Sequence, residues 1–282
     1  MTSADSHDLT EPGADFSLGD KTALVTGGYG VLGGTIASGL AAAGARVIIV
    51  GRRRDAADAK ADELRAGGAS VEVAIADVLD EASLRATADD LATRGLGEID
   101  ILVNAAGGNV ARARSDNRSV FEIPLDAFDE VLRLNLHGTV APTMILGDMM
   151  AKRGRGSIVN ISSMAAMQAL SGVMGYSVAK AGIDTFTRWM AVDLARRFGD
   201  GIRVNAIAPG FFLSEQNRAV LVSPDGSPTE RAKKIIDRTP MARFGHPREL
   251  IGAVQWLCSD ASSFVTGVVI PVDGGFSAFS GI

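Results

Sequence analysis

The sequence predicts an α/β fold, a single-domain doubly wound sheet of seven mainly parallel strands with helices on both faces. Three observations predict it. Short β-branched runs alternate with longer helical patterns, several of those runs are apolar almost throughout, and a glycine turn joins the first run to the first helical pattern. Alternating strands and helices are the sequence form of βαβ units. Runs that are apolar on both faces are strands covered by helices on both sides.

In chain order the strand candidates are TALVT (22–26), RVIIV (46–50), SVEVAIA (70–76), IDILVN (99–104), GSIVNIS (156–162), IRVNAIA (202–208) and GVVIPV (267–272). After the first of them Leu32, Ile36, Leu40 and Ala43 recur at helical spacing, and Gly44 follows as a stop signal, so a helix starts at the glycine loop. Long helical patterns cover about 126–150 and 174–198. Between the sixth and seventh strands lies an insertion, about 211–245, in which Ser227, Pro228 and Glu230 read as N-cap, first-turn proline and capping-box glutamate of a short helix. Residues 1–17 read as a flexible tail and 18–282 as one domain.

Composition narrows the function classes. A net charge of −5 gives no basic footprint for nucleic acid, and no run of 18 apolar residues spans a bilayer. The acidic start of the chain has no secretory pattern. One cysteine, Cys258, excludes an internal disulfide framework and fits a reducing cytoplasm. The three histidines stand far apart, without metal-ligand spacing. The partner expected is a small molecule, not a nucleic acid, a membrane or a metal.

TGGYGVLGG (26–34) contains G-x-G-x-x-G at Gly28, Gly30 and Gly33. Strand, glycine turn and helix in that order put backbone N–H groups and a positive helix end where a pyrophosphate can sit, the Rossmann-type arrangement. No G-x-x-x-x-G-K-[ST] occurs, which disfavours a Walker-type hydrolase. The second strand ends in VGRRRD, with Gly51 where a carboxylate for the ribose 2′-hydroxyl is expected and Arg52, Arg53 and Arg54 behind it. The sequence therefore favours NADP(H) over NAD(H).

GYSVAKAG places Tyr176 and Lys180 at i and i+4 of a helical stretch, so both project from one face. A free tyrosine, with a pKa near 10, is a poor acid–base group at neutral pH, and a nearby ammonium favours its phenolate.

With T-G-x-x-x at the first turn, NAAG at 104–107, a serine ahead of Y-x-x-x-K and PG at 209–210, the chain resembles the short-chain dehydrogenase/reductase family from about residue 18 onwards. The resemblance implies a Rossmann-type fold, a homotetramer, and hydride transfer between a nicotinamide and a carbonyl or alcohol. It implies Tyr176 as acid/base, Lys180 lowering its pKa and bonding the nicotinamide ribose, and Ser163, rather than Ser162, holding the substrate oxygen. Asn135 in LNLHG matches the asparagine whose backbone supports a water-linked proton relay to the lysine. For the cofactor it implies Gly27, Gly28, Gly30, Leu32 and Gly33 at the pyrophosphate, Asp77 and Val78 at the adenine, and Asn104, Ala105 and Gly107 on the ribose side. Pro209, Gly210, Phe212 and Ser214 would approach the carboxamide and pyrophosphate. The chain departs from the family pattern at Val31, which replaces the middle glycine of T-G-x-x-x-G-x-G.

Two segments expected at the carboxyl edge of the sheet carry polar groups suited to an anionic polyhydroxylated substrate: GGNVARARSDN (107–117), with Asn109, Arg112 and Arg114, and GFFLSEQNR (210–218), with Gln216, Asn217 and Arg218. Gln168 and Arg243 complete the candidate set. APGFFLSEQNR, TPMARFGHPREL and the C-terminal run resemble the branch of the family that holds D-mannonate oxidoreductase (fructuronate reductase) and gluconate 5-dehydrogenase. That implies reversible reduction of a keto-sugar acid. A 3-oxoacyl or general carbonyl reductase is the alternative, for which Phe211, Phe212, Met164 and Met167 argue. A non-catalytic nucleotide sensor is the third reading, against which Ser163, Tyr176 and Lys180 stand.

Overall fold

A computed structural model of the chain describes residues 15–116, 118–213, 218 and 220–281. Seven strands form one sheet: β1 (Thr22–Thr26), β2 (Arg46–Gly51), β3 (Val71–Ile75), β4 (Ile101–Asn104), β5 (Gly156–Ile161), β6 (Ile202–Pro209) and β7 (Val269–Val272). Their order is β3-β2-β1-β4-β5-β6-β7, and every pair is parallel. Each lies within or against one of the seven apolar runs.

Period-two alternation explains why those runs are apolar throughout. Ala23, Val25, Val47, Ile49, Ile101 and Val103 point into one core. Their neighbours Leu24, Ile48, Val50 and Leu102 point into the other. The first core is closed by α1 (Val31–Ala42), α2 (Arg54–Ala66) and α8 (Ile251–Cys258), through residues such as Ile36, Leu40, Ala61 and Val254. The second is closed by α3 (Glu81–Thr93), α5 (Gly138–Arg153) and α6 (Met174–Phe198), through Leu84, Leu91, Leu146, Met150 and Leu194. A polar side chain on either face of such a strand would be buried without water, which is why the pattern is so plain in the sequence.

The winding reverses at β1, which lies between β2 and β4, and a crevice opens there at the carboxyl ends of the strands. The Thr26 hydroxyl accepts from the N–H groups of Ala105 (3.1 Å) and Ala106 (3.3 Å), fixing the chain that leaves β4 beside the glycine loop. Helix α1 begins at Val31 with Gly30 as its N-cap. Val31 takes an ordinary helical first position, so the missing family glycine needs no unusual backbone there. Gly33 admits no side chain, because a Cβ would stand 2.3 Å from the Gly27 carbonyl oxygen, and at Gly28 one would stand 2.8 Å from that of Val25. The predicted stop is also seen: Gly44 has φ +100°, with its N–H on Ala41 and that of Ala45 on Leu40.

Two expectations are corrected. The pattern over 126–150 is not one regular helix but α4 (Leu125–Leu132), a π-turn (Arg133–His137) and α5. In the insertion, α7 (Glu230–Arg238) is capped by Thr229, whose hydroxyl oxygen accepts from Ala232 N–H, and not by Ser227. Asp225 captures Ser227 through both its N–H and its hydroxyl, which holds it in the preceding turn. The insertion packs through Leu221, Ala232 and Ile235 against Phe211 and Phe244.

Candidate active site

Ser163, Tyr176 and Lys180 line one cavity of about 560 Å3 at the carboxyl edge of the sheet. Ser163 lies two residues beyond β5, as N-cap of a short 3-10 turn, and its oxygen accepts from Ala165 N–H at 3.1 Å. Tyr176 and Lys180 sit one turn apart near the start of α6. The neighbouring Ser162 takes another course, donating to Asp184 Oδ1 inside the protein. Of the two adjacent serines, only Ser163 lines the cavity.

Burial is the leading influence on both members of the Tyr176–Lys180 pair. Burial pushes the Tyr176 phenol above its ordinary range, and a hydrogen bond with Ser163 partly opposes that. The Lys180 ammonium lies 5.5 Å from the centre of the Tyr176 ring and donates to the Ile161 carbonyl at 2.7 Å, so it is anchored to β5 and not to the phenol. Burial also brings Lys180 down to about 8, with the Asp184 carboxylate acting against it. Asp184, i+4 from Lys180, was not foreseen. The only signal for it was an acid continuing the Tyr176–Lys180 face.

Asn135 lies in the π-turn and is fully buried. Its side chain clasps Gly108, accepting from the N–H at 3.0 Å and donating to the carbonyl at 2.8 Å. Its own carbonyl accepts from the Thr139 hydroxyl at 3.0 Å. Asn104 does not face the crevice: its amide donates to Thr143 and Asn160 in the core. Ala105 and Gly107 do line the cavity.

The cofactor candidates gather at the same edge. Gly30, Leu32 and Gly33 form the wall at the start of α1, with Gly210 and Phe212 nearby. Gly27 and Gly28 build the turn behind them, and Pro209 ends β6. A dinucleotide fits this arrangement on two counts. The first-turn amides of α1 have no side-chain cap. At Gly107 a Cβ would stand 2.7 Å from Asn135 Oδ1 and 3.7 Å from Lys180 Nζ, so glycine leaves open the space beside the lysine.

At the end of β2, Tyr29 lies over Gly51, where a Cβ would stand 2.3 Å from its ring. Arg53 covers that ring at 5.1 Å, and its N–H donates to the Tyr29 hydroxyl. A side chain at position 51 would have to displace the Tyr29 ring. Arg52 is exposed and 3.7 Å from Asp77, while Val78 is buried and packs near Gly138.

The substrate candidates separate. Asn109 lines the cavity. Arg112 does not, because it turns outward to Asp126 and Glu130. Gln168 donates to the Ser277 carbonyl, tying down the C-terminal segment, and Arg243 is forked on Glu249. Arg218 is exposed and is not among the cavity-lining residues. Ser214, Gln216 and Asn217 lie outside the described residues. Two cations that do line the cavity are Arg114 and Arg231. Arg231 carried no sequence signal. Among the described residues no cluster of His, Cys, Asp and Glu could hold a metal, and no helix is long and apolar enough to cross a membrane.

A glycine loop at the switch point of a parallel sheet, beside a Ser–Tyr–Lys group, defines a nicotinamide-dependent oxidoreductase. A family model described as Enoyl-(Acyl carrier protein) reductase matches residues 30–277. The uncharacterized oxidoreductase UxuB of Bacillus subtilis (strain 168) is 41% identical over 276 residues, 94% of this chain and 98% of that one. A structure with bound NAD, provisionally named a D-mannonate oxidoreductase from Haemophilus influenza, is 40% identical with a TM-score of 0.88, over 94% of this chain and 98% of that one. A gluconate 5-dehydrogenase from Burkholderia cenocepacia J2315, in complex with NADP and tartrate, is 35% identical with a TM-score of 0.84 and the same coverage. The chain belongs to the short-chain dehydrogenase/reductase family.

Proposed function

We propose that the protein interconverts a keto-sugar acid and its hydroxy acid, with fructuronate and mannonate as the first pair to test. The observation that carries the reading is the meeting of Ser163, Tyr176 and Lys180 in one cavity whose wall also bears Asn109 and two arginines. The similarity to a protein provisionally named a D-mannonate oxidoreductase and to a gluconate 5-dehydrogenase supports it.

A nicotinamide dinucleotide held at the glycine loop would supply or accept the hydride. Ser163 holds the substrate oxygen, and Tyr176 gives that oxygen a proton in reduction or takes one from it in oxidation. A phenol held up by burial and hydrogen-bonded to Ser163 is protonated at neutral pH, ready to act as the acid of carbonyl reduction. Lys180, fixed by the Ile161 carbonyl, places positive charge beside the phenol as it ionises. Asn135 holds the Gly108 end of the loop that borders the lysine.

NADP(H) is the favoured cofactor. Gly51, under the Tyr29 ring, offers no ribose-binding acid, and Arg52 and Arg53 offer cations for a 2′-phosphate. Arg52→Asp should lower kcat/KM with NADPH about 10- to 100-fold, the size of one lost charge-assisted contact, and leave that with NADH unchanged or higher. A wild-type enzyme that already prefers NADH sinks the assignment.

Helix α6 leaves Val178, Trp189 and Val192 exposed along one stripe, which supports assembly with further copies of the chain as a homotetramer. The single thiol, Cys258, is buried and pushed up to about 12, in keeping with a cytoplasmic enzyme without disulfides.

A second reading has an observation of its own. Met164, Leu170 and Phe211 also line the cavity, which suits a 3-oxoacyl or general carbonyl substrate. Following NADPH and NADH absorbance across hexuronates, keto-gluconates, ketoses and a β-keto ester decides between the two. Turnover confined to the β-keto ester overturns the sugar-acid reading. No oxidation or reduction of a bound cofactor with any of them would favour a nucleotide sensor.

A further inference from the structure

Arg114 and Arg231 come from distant parts of the chain to the wall of the cavity that holds Ser163, Tyr176 and Lys180. Arg114 follows the 3-10 turn Ala111–Ala113, in the segment after β4, and Arg231 is the second residue of α7. One carboxylate joins them. Asp116 Oδ2 accepts from Arg114 Nε at 2.6 Å, and Oδ1 accepts from Arg231 Nη1 at 3.1 Å. A third segment seats that carboxylate: Gly172 has φ +83°, a Cβ there would stand 2.5 Å from Asp116 Oδ1, and Ser115 N–H donates to the Gly172 carbonyl. The loop after β4, the turn before α6 and the insertion helix therefore converge on one side chain.

The charges do not cancel. Arg114 and Arg231 hold the Asp116 carboxyl below its usual range, so it stays ionised, and two guanidiniums share one negative charge. Arg118, whose Nε donates to the Arg114 carbonyl, adds a further positive charge nearby. Each guanidinium uses one nitrogen on Asp116, and its remaining N–H groups have no acceptor among the described residues. Both side chains are about one-third exposed. The other cations first considered for the substrate differ: Arg112 is matched by Asp126 and Glu130, and Arg243 by Glu249. Two guanidiniums held side by side with free N–H groups form a receptor for a second carboxylate, since planar forks match carboxylate oxygens.

We propose that Arg114 and Arg231, pinned by Asp116, bind the carboxylate of the substrate and thereby select a sugar acid over the neutral sugar of the same length. The assignment rests on the sugar-acid reading above. In it Ser163 and Tyr176 take the carbon–oxygen group being turned over, and the arginine pair fixes the other functional end of the molecule. Because α7 supplies one of the two arginines, the insertion contributes directly to specificity.

The test compares each accepted hexuronate or keto-hexonate with the ketose of the same carbon number in the wild type and in Arg114→Met, Arg231→Met and Arg231→Lys. The two methionine variants should raise KM for the acid about 10- to 100-fold, the effect of losing a hydrogen bond to a charged group. Values of kcat, the Kd for NADPH and kcat/KM for the ketose should stay within about two-fold, and Arg231→Lys should recover part of the acid's KM through its retained charge. An unchanged Kd for NADPH reports that the fold is intact. Should the wild type prefer the acid while both methionine variants keep that preference, or lose acid and ketose alike, the arginine assignment is overturned and the sugar-acid reading stands. A wild type that turns over the ketose as well as the acid, or accepts only the β-keto ester, removes the reading and the assignment with it.

Discussion

Tyr176→Phe is expected to lower kcat at least about 1,000-fold in both directions, within the range that a positioned acid–base group contributes, while the Kd for NADPH stays within about two-fold. The substitution is a clean probe because of how the ring is held. Its apolar body packs beside Ala113, Ala127 and Val131, and phenylalanine keeps those contacts. What is lost is one oxygen, which hydrogen-bonds Ser163 and is pushed up by burial. Removing it leaves the Ser163 hydroxyl with its bond from Ala165 N–H, so the 3-10 turn remains capped. The expected stability cost is the net worth of one hydrogen bond, about 1 kcal/mol. Cofactor binding measured by NADPH fluorescence, set beside turnover on the preferred substrate, checks the prediction. Turnover within ten-fold of the wild type would remove Tyr176 from the role of acid/base. Loss of NADPH binding would show instead that the phenol serves the cofactor.

The parts of this molecule legible in the sequence are those governed by local periodicity or by a short motif. The strands were visible because burial on both faces forces nearly continuous apolar runs, as in RVIIV, whose residues divide between two cores. Tyr176 and Lys180 were visible because helical geometry alone puts i and i+4 on one face. The choice of Ser163 over Ser162 came from the family's thirteen-residue spacing. The structure adds a physical reason for separating them, since Ser162 is engaged by Asp184.

What was not legible depends on contacts across the chain. Arg112 and Arg114 looked equivalent, yet one lies within the turn Ala111–Ala113 and the other just beyond it in extended backbone, so their side chains leave in different directions. Arg231 enters the site only because the insertion folds back, and its partner Asp116 is 115 residues away. Gln168 has the chemistry of a substrate ligand but is taken by a carbonyl 109 residues on. At Gly51 the sequence shows the absence of an acid but not the Tyr29 ring that lies against that position. The π-turn at Asn135 is not marked in the apolar pattern over 126–150.

Lys180→Met should move the pH dependence of the oxidation reaction, and the direction follows from the charges around the phenol. In the proposed mechanism oxidation uses Tyr176 as the phenolate, and burial holds the phenol above its ordinary range. The Lys180 ammonium, 5.5 Å from the ring centre, is the charge placed to favour the phenolate in that role. A nearby unit charge of this sign favours the ionised phenol, and an acid–base group out of its range costs on the order of 100-fold in rate. Removing it should therefore carry the rising limb of log(kcat/KM) about two units towards alkali, a loss of about 100-fold at pH 7 that narrows as the pH is raised towards 9.5. In the wild type Lys180 itself, brought down to about 8, gives up its proton over the same range, so the limb belongs to the pair and bends where the ammonium disappears. Methionine matches the length of the lysine stem but cannot donate to the Ile161 carbonyl, so a several-fold rise in the Kd for the cofactor should accompany the shift. The two effects separate in one experiment, because weaker binding is overcome by saturating cofactor and a displaced limb is not. A limb that stays where the wild type has it, with activity lowered by the same factor at every pH, would show that Lys180 only positions the cofactor and that another group brings the phenol into range.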